Sequence, residues 1–89
     1  MKAFVYMLRC GDGSLYTGWT NDLEKRLKSH SSGKGAKYTR GRGPFEMVWH
    51  EELPDMSTAL RREVEIKALT RSQKEEFLKV QLKIQHEGE

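Results

Sequence analysis

Residues 3–20 read AFVYMLRCGDGSLYTGWT, and the way their two halves pair decides how the chain is arranged. Ala3 to Arg9 is rich in aromatic and aliphatic residues, the composition of a buried strand. Gly11-Asp12-Gly13-Ser14 is a strong turn signal, and Leu15 to Thr20 then reads as the returning strand of a hairpin. Register depends on the turn, because facing residues in an antiparallel pair have numbers that add to a constant. A two-residue turn at Asp12-Gly13 makes that sum 25 and sends Tyr6 and Tyr16 to opposite faces. A three-residue loop over Gly11, Asp12 and Gly13, with a glycine in the left-handed position, makes it 24. Tyr6 then faces Gly18, Tyr16 faces Leu8, and the tyrosines become diagonal neighbours about 7–8 Å apart by Cα. Gly18 leaves open space beside Tyr6. By itself this is what most strand tyrosines do.

The next segment raises the stakes. Asn21 and Glu24 have capping-box spacing, and Leu23 and Leu27 follow at helical spacing, so a helix is expected to start here and end near His30. At about 100° per residue, Arg26 and His30 fall within about 60° of Leu23, on the stripe that faces the sheet. Glu24, Lys25 and Lys28 take the outer face. Burying a guanidinium costs several kcal/mol unless something pairs with it. The ordinary alternative is an edge position, with the arginine reaching out to water.

Further along, the glycine-rich SSGKGAKYTRGRGP (residues 31–44) reads as a loop. Phe45 to Leu53 alternates Phe45, Met47 and Trp49 against Glu46, Val48 and His50, a third strand that Pro54 ends. Ser57 is a candidate cap for a second helix over TALRREVEIKAL. Its apolar arc spans Ala59, Leu60, Val64 and Ile66, with Glu63 inside it and Glu65 outside. A carboxylate in that arc is either an i,i+4 partner for Lys67 or the ligand of something in a cleft. Ser72 and Glu75 have the spacing to cap a third helix carrying Phe77, Leu78 and Leu82. The order β-β-α-β-α-α gives an α+β fold: a small three-stranded antiparallel sheet flanked by helices. One domain over residues 1–84 is expected, with 85–89 as a disordered tail.

The chain has 89 residues, room for one small domain. A single cysteine, Cys10, excludes an intrachain disulfide and a C-x-x-C metal knuckle, and fits a reducing cytoplasm. The apolar run behind Lys2 is too short for a signal peptide, and no stretch approaches the ~18 residues of a membrane span, so no membrane association is expected. Lys25, Arg26, Lys28, Lys34, Lys37, Arg40 and Arg42 lie between Lys25 and Pro44 with no acid among them. Removing those seven from the sixteen Lys and Arg leaves nine against thirteen acids, net −4 for the rest of a chain whose total is +3. A basic belt on an otherwise acidic domain points to a polyanion, and nucleic acid is the commonest one. Its candidate nucleic-acid contacts are Lys25, Lys28, Lys34, Lys37, Tyr38, Arg40 and Arg42.

Tyr6, Tyr16, Arg26, His30 and Glu63 all break the binary pattern in ways that let them converge on one face of one sheet, and coincident violations point to a site. In this order they resemble the GIY-YIG nuclease superfamily. Phe4-Val5-Tyr6 and Tyr16-Thr17-Gly18 stand for the two halves of its name, followed by Arg26, His30 and Glu63. The likeness runs from Ala3 to about Leu78 and is closest to small stand-alone bacterial members. The resemblance implies a DNA endonuclease using one divalent metal ion, Mg²⁺ or Mn²⁺. By position Glu63 would hold the metal, and Tyr6 and Tyr16 would position and deprotonate the attacking water. Arg26 would stabilise the phosphorane charge, and His30 would assist proton transfer or orient a tyrosine. Phe4 departs from the family glycine, Trp19 stands where some relatives carry a lysine, and Asn21 is the only asparagine.

The chemistry is coherent. One carboxylate with several waters suits Mg²⁺. A tyrosine base must fall by about 3 units from its usual pKa near 10, which asks for roughly 4 kcal/mol from Arg26, the metal and the basic belt. The leading expectation is a metal-dependent endonuclease acting on branched or flapped DNA. The alternatives are an inactive nucleic-acid-binding module, with RNA as another ligand, and a subunit that cuts only when docked to a protein partner through Val80 and Ile84.

Overall fold

The computed structural model describes residues 2–33 and 39–87. Three strands, β1 (Ala3–Arg9), β2 (Leu15–Thr20) and β3 (Glu46–Leu53), form an antiparallel sheet in the order β2-β1-β3. Helices α1 (Leu23–Ser31), α2 (Met56–Lys67) and α3 (Arg71–Glu87) complete the β-β-α-β-α-α order. This is the α+β architecture the sequence implies. Lys34, Lys37 and Tyr38 of the belt, and the last two positions of the expected tail, lie outside the described residues.

The hairpin takes the three-residue solution. Tyr6 pairs with Gly18 and Leu8 with Tyr16. Gly13 adopts φ +86°, the Gly13 amide donates to the Cys10 carbonyl at 2.9 Å, and the Cys10 amide donates to Ser14 at 2.8 Å. Only glycine enters that left-handed region cheaply, so the turn chemistry fixes the register.

Faces follow from the register. Ala3, Val5 and Met7 of β1 point into a core shared with Leu15, Trp49, Ala59 and Ile66, bordered by Trp19, Leu53, Phe77 and Leu78. Trp49 and Phe77 meet edge to face, 5.0 Å between centroids. The Arg62 guanidinium lies over both rings at 5.9 and 5.7 Å while Nε donates to Glu51 at 3.2 Å. The charge stays paired as its planar group covers aromatic surface. Tyr6 and Leu8, on the opposite face, are also fully buried.

Several local expectations are corrected. The α1 cap is Asp22, whose carboxylate accepts from the Lys25 amide at 3.1 Å, not Asn21. Asp55, bonded to the Thr58 amide at 2.8 Å, caps α2 in place of Ser57. A reciprocal box between Thr70 and Gln73 opens α3, two residues before the Ser72 start. In each case an Asp or Thr just upstream has the reach to an orphan amide. Leu60 and Val64 are 39% and 65% exposed, so the buried arc of α2 narrows to Ala59, Glu63 and Ile66. The alternation in β3 also fails. A bulge pairs Met7 with Trp49 but Leu8 with Met47, leaving Val48 as the extra residue. Met47 and Trp49 therefore point to opposite faces.

Candidate active site

Strand β1 delivers the Tyr6 side chain to the face away from the main core, and α1 delivers Arg26 and His30 one helical turn apart. The Tyr6 hydroxyl is 2.8 Å from His30 Nε2, and the Arg26 Nε–H donates to the same oxygen at 3.4 Å. On its other side His30 Nδ1 is 2.8 Å from the Thr39 hydroxyl. His30 and Thr39 are each 1% exposed and Tyr6 is 0% exposed. Tyr16 completes a ring of aromatics, its centroid 6.3 Å from Tyr6 and 5.4 Å from His30, with Phe45 6.0 Å from His30.

Gly18 makes this possible. A Cβ there would sit 2.7 Å from the Tyr6 hydroxyl oxygen and 3.0 Å from the Tyr16 ring. The missing side chain is the space in which Tyr6 lies.

Electrostatics define the resting protonation. Burial pushes the Tyr6 hydroxyl up to about 12, outweighing the Arg26 hydrogen bond and charge, with Tyr16 and Glu63 also pushing upward. Burial, reinforced by the Arg26 charge, holds the His30 imidazole below its ordinary value. The protein at pH 7 thus has a neutral tyrosine against a neutral histidine. At Tyr6, without a metal ion, desolvation of the phenolate outweighs the lowering by Arg26. Arg26 donates to Tyr6, and in the tautomer with Nδ1 protonated Tyr6 donates to Nε2 and Nδ1–H donates to Thr39. Arg26 keeps a solvent side, lining an open cleft of about 220 Å³ with Thr20, Lys25 and Ser29.

Glu63 comes from the other layer. Its helix is anchored by Ala59 and Ile66 in the main core, and its side chain is only 15% exposed. Its carboxylate is held by Lys67 at 3.6 Å, and its charge is felt at Tyr6. Of the two readings of a carboxylate in that arc, the i,i+4 pairing with Lys67 is formed. Among the described residues no group of three or more His, Cys, Asp or Glu side chains gathers as a metal cluster.

Of the belt, Lys25, Lys28 and Arg40 are exposed. Arg42 is tied to Asp12 at 2.6 Å, and its carbonyl accepts from the Gly11 amide at 2.6 Å, so the loop is fastened to the hairpin turn. Thr39 is the residue that sequence reasoning missed. A threonine in a glycine-rich loop carries no periodic signal.

With the hairpin tyrosines, the helical arginine and histidine and Glu63 in place on this fold, the chain belongs to the GIY-YIG catalytic domain family, whose model matches residues 2–76. It is similar to the UPF0213 protein of Halalkalibacterium halodurans, 53% identical over 88% of this chain and 83% of that one. The UPF0213 protein of Clostridium perfringens is 59% identical over 80% of this chain and 76% of its own. Solution structures agree. The UPF0213 protein from Bacillus halodurans superposes with a TM-score of 0.60 at 51% identity, covering 90% of this chain and 85% of that one. A protein from E. faecalis superposes at 0.62 and 44% identity with the same coverage. No helix among the described residues is long and apolar enough to cross a membrane.

Proposed function

We propose that this chain is a metal-dependent endonuclease that hydrolyses DNA phosphodiester bonds, using Tyr6, Tyr16, Arg26, His30 and Glu63. The observation that carries the reading is the buried chain Arg26–Tyr6–His30–Thr39, with links of 3.4, 2.8 and 2.8 Å. A hydroxyl held between a cation and a neutral imidazole is equipped to pass a proton. As the attacking water approaches Tyr6, the phenol oxygen takes the water's proton while its own moves to Nε2 of His30. Concerted transfer avoids the phenolate that burial disfavours, and Arg26 offsets charge growing on the oxygen or on the phosphate. Thr39 holds His30 in the tautomer with Nε2 open. Tyr16 walls the water's position.

Glu63 fits a divalent cation by the chemistry of the donor set. A mostly buried carboxylate outside any cluster of three or more His, Cys, Asp or Glu among the described residues suits Mg²⁺, which keeps its waters and takes phosphate oxygens from the substrate. Mn²⁺ would serve as well. When bound, the ion would neutralise charge on the attacked phosphate and on the leaving oxygen. Nothing among the described residues resembles a base-reading module, so selectivity would come from DNA shape, with branched or flapped structures as the substrates to try first.

The test is cleavage of nicked, flapped, forked and four-way DNA with Mg²⁺ or Mn²⁺, running wild type beside Glu63→Ala and Tyr6→Phe. Cutting lost in both variants supports the assignment, and cutting that survives Glu63→Ala removes it. Intact binding without cutting by wild type would leave a binding module or a subunit that needs a partner.

A further inference from the structure

Beside Tyr16, on the rim of β2, lies a second cleft of about 340 Å³ lined by Leu15, Tyr16, Thr17, Lys67 and Lys74. Its polar content is unusual. Lys67 reaches it from the last turn of α2 and Lys74 from the first turn of α3, two ammonium groups drawn together by the bend between the helices. Lys67 has a partner, Glu63, at 3.6 Å. Lys74 forms no ion pair among the described residues, and it is only partly exposed. The neighbouring cation, Arg71, is already engaged by Glu75 at 3.7 Å and by the Gly13 carbonyl at 2.7 Å.

Two arguments set this apart from an ordinary solvated helix face. Like charges brought together and partly desolvated cost free energy, and the cost shows at Lys74. Burial first, then Lys67 and Arg71, makes its ammonium easier to deprotonate than a free lysine. A fold keeps such an arrangement most readily where an anion completes it. Independently, Thr17 lines the same cleft, is 2% exposed, and its Oγ1 is buried without a hydrogen-bond partner. Buried hydroxyls without partners are rare and need an explanation.

We propose that Lys67, Lys74 and Thr17 form a phosphate-binding subsite next to Tyr16, distinct from the basic belt and built from the α2–α3 junction. Its ligand is a compact tetrahedral oxyanion. Identifying that oxyanion as a backbone phosphate flanking the attacked one rests on the nuclease reading. The subsite sits against Tyr16 and is linked to Glu63 through Lys67. A strand gripped there would lie beside Tyr16, so the subsite aligns the strand as well as adding affinity.

The experiment uses inorganic phosphate first and DNA second, both without divalent metal. In a phosphate titration followed by ¹H–¹³C NMR of lysine CεH₂ groups, Lys67 and Lys74 should shift together and saturate. Lys28 and Lys79 should move only with ionic strength, as in a chloride control, and Lys74→Gln should abolish the saturable phase at Lys67. Parallel drift of all lysines, in phosphate and chloride alike, overturns the subsite. In anisotropy titrations of duplex DNA, Lys74→Gln should lower the slope of log K against log[salt] by about 0.9, while Lys74→Arg restores it. An unchanged slope in a variant that folds by circular dichroism removes the subsite from the DNA path. If saturable phosphate binding persists while wild type fails to bind or cut any DNA, the nuclease reading falls and the anion site stands.

Discussion

The Tyr6 hydroxyl lies 2.8 Å from Nε2 of His30, both groups being almost wholly removed from solvent. A bond of that length between neutral groups in a dry setting commits the histidine to one tautomer. His30→Ala and Tyr6→Phe should each cost roughly 10²–10⁴ in cleavage rate, the usual scale of positioned proton transfer. DNA affinity should hardly change. Single-turnover kinetics with saturating enzyme checks this, and equal losses in rate and affinity would argue for a structural role instead.

Thr39 gives a spectroscopic counterpart. Its hydroxyl, 2.8 Å from Nδ1, is placed to accept the proton that would keep Nε2 free. In ¹⁵N NMR of labelled imidazole, wild type and Thr39→Ser should both show the Nδ1–H form of His30. Thr39→Val should show a mixed or reversed tautomer.

Acid and alkali act on different partners. His30 has its pKa depressed in the fold, so its contribution is complete above about 6.5, the unfolded value, and is lost as pH falls through the lower folded value. Tyr6 has its pKa raised to about 12, so stability is retained below about pH 10 and lost as pH climbs from there toward the folded value. By pH 11 the loss from Tyr6 should be about 1.4 kcal/mol, one unit above its unfolded pKa. Urea denaturation at pH 9 and 11 measures it, and Tyr6→Phe should flatten that part of the profile.

A methyl group at position 18 has nowhere to go. It would meet the Tyr6 hydroxyl at 2.7 Å and the Tyr6 ring carbon behind it at 2.9 Å. Gly18→Ala should cost about 1–3 kcal/mol, as overpacking of a tight site does, and should displace Tyr6 from His30. A change in unfolding midpoint with no change in the His30 ¹⁵N shifts would mean that the sheet, not the site, absorbs the strain.

Belt residues should not contribute equally. Exposed Lys28 and Arg40 should each lower the DNA-binding salt slope by about 0.9 on mutation to alanine. Arg42, already bound to Asp12 at 2.6 Å, should give a smaller change together with loosening of the loop that carries Thr39. Salt titrations of the single variants decide the order.

The sequence made much of this legible, for identifiable reasons. Arg26 and His30 stood out because a cation and an imidazole on an apolar stripe violate helical periodicity. Parity reduced the hairpin to two registers, and the left-handed Gly13 chose between them. Glu63 was legible as a violation, but the layer its helix joins was not, because periodicity within a helix says nothing about which layer the helix packs in. Leu60 and Val64 satisfied the apolar pattern of α2 yet face solvent, where no third layer covers them. Lys74 carries no periodic signal and Lys67 was legible only as a partner for Glu63; the turn between α2 and α3 brings both to one cleft. The upward push of burial on Tyr6 was not legible, because desolvation has no sequence signature, whereas a neighbouring arginine does.

The extra residue in β3 has a meaning beyond local geometry. Because Trp49 faces Met7 while Met47 faces Leu8, the strand is read in one phase after Val48 and in the opposite phase before it, a frameshift written in side-chain directions. The loop carrying Thr39 enters the sheet on the shifted side. A chimera that grafted a regular strand onto this hairpin would invert Glu46 and Met47 and turn the incoming loop with them, pulling Thr39 away from His30 while leaving the hydrophobic core on the far face intact. Such a hybrid would fold and keep every candidate catalytic side chain, yet lose their alignment.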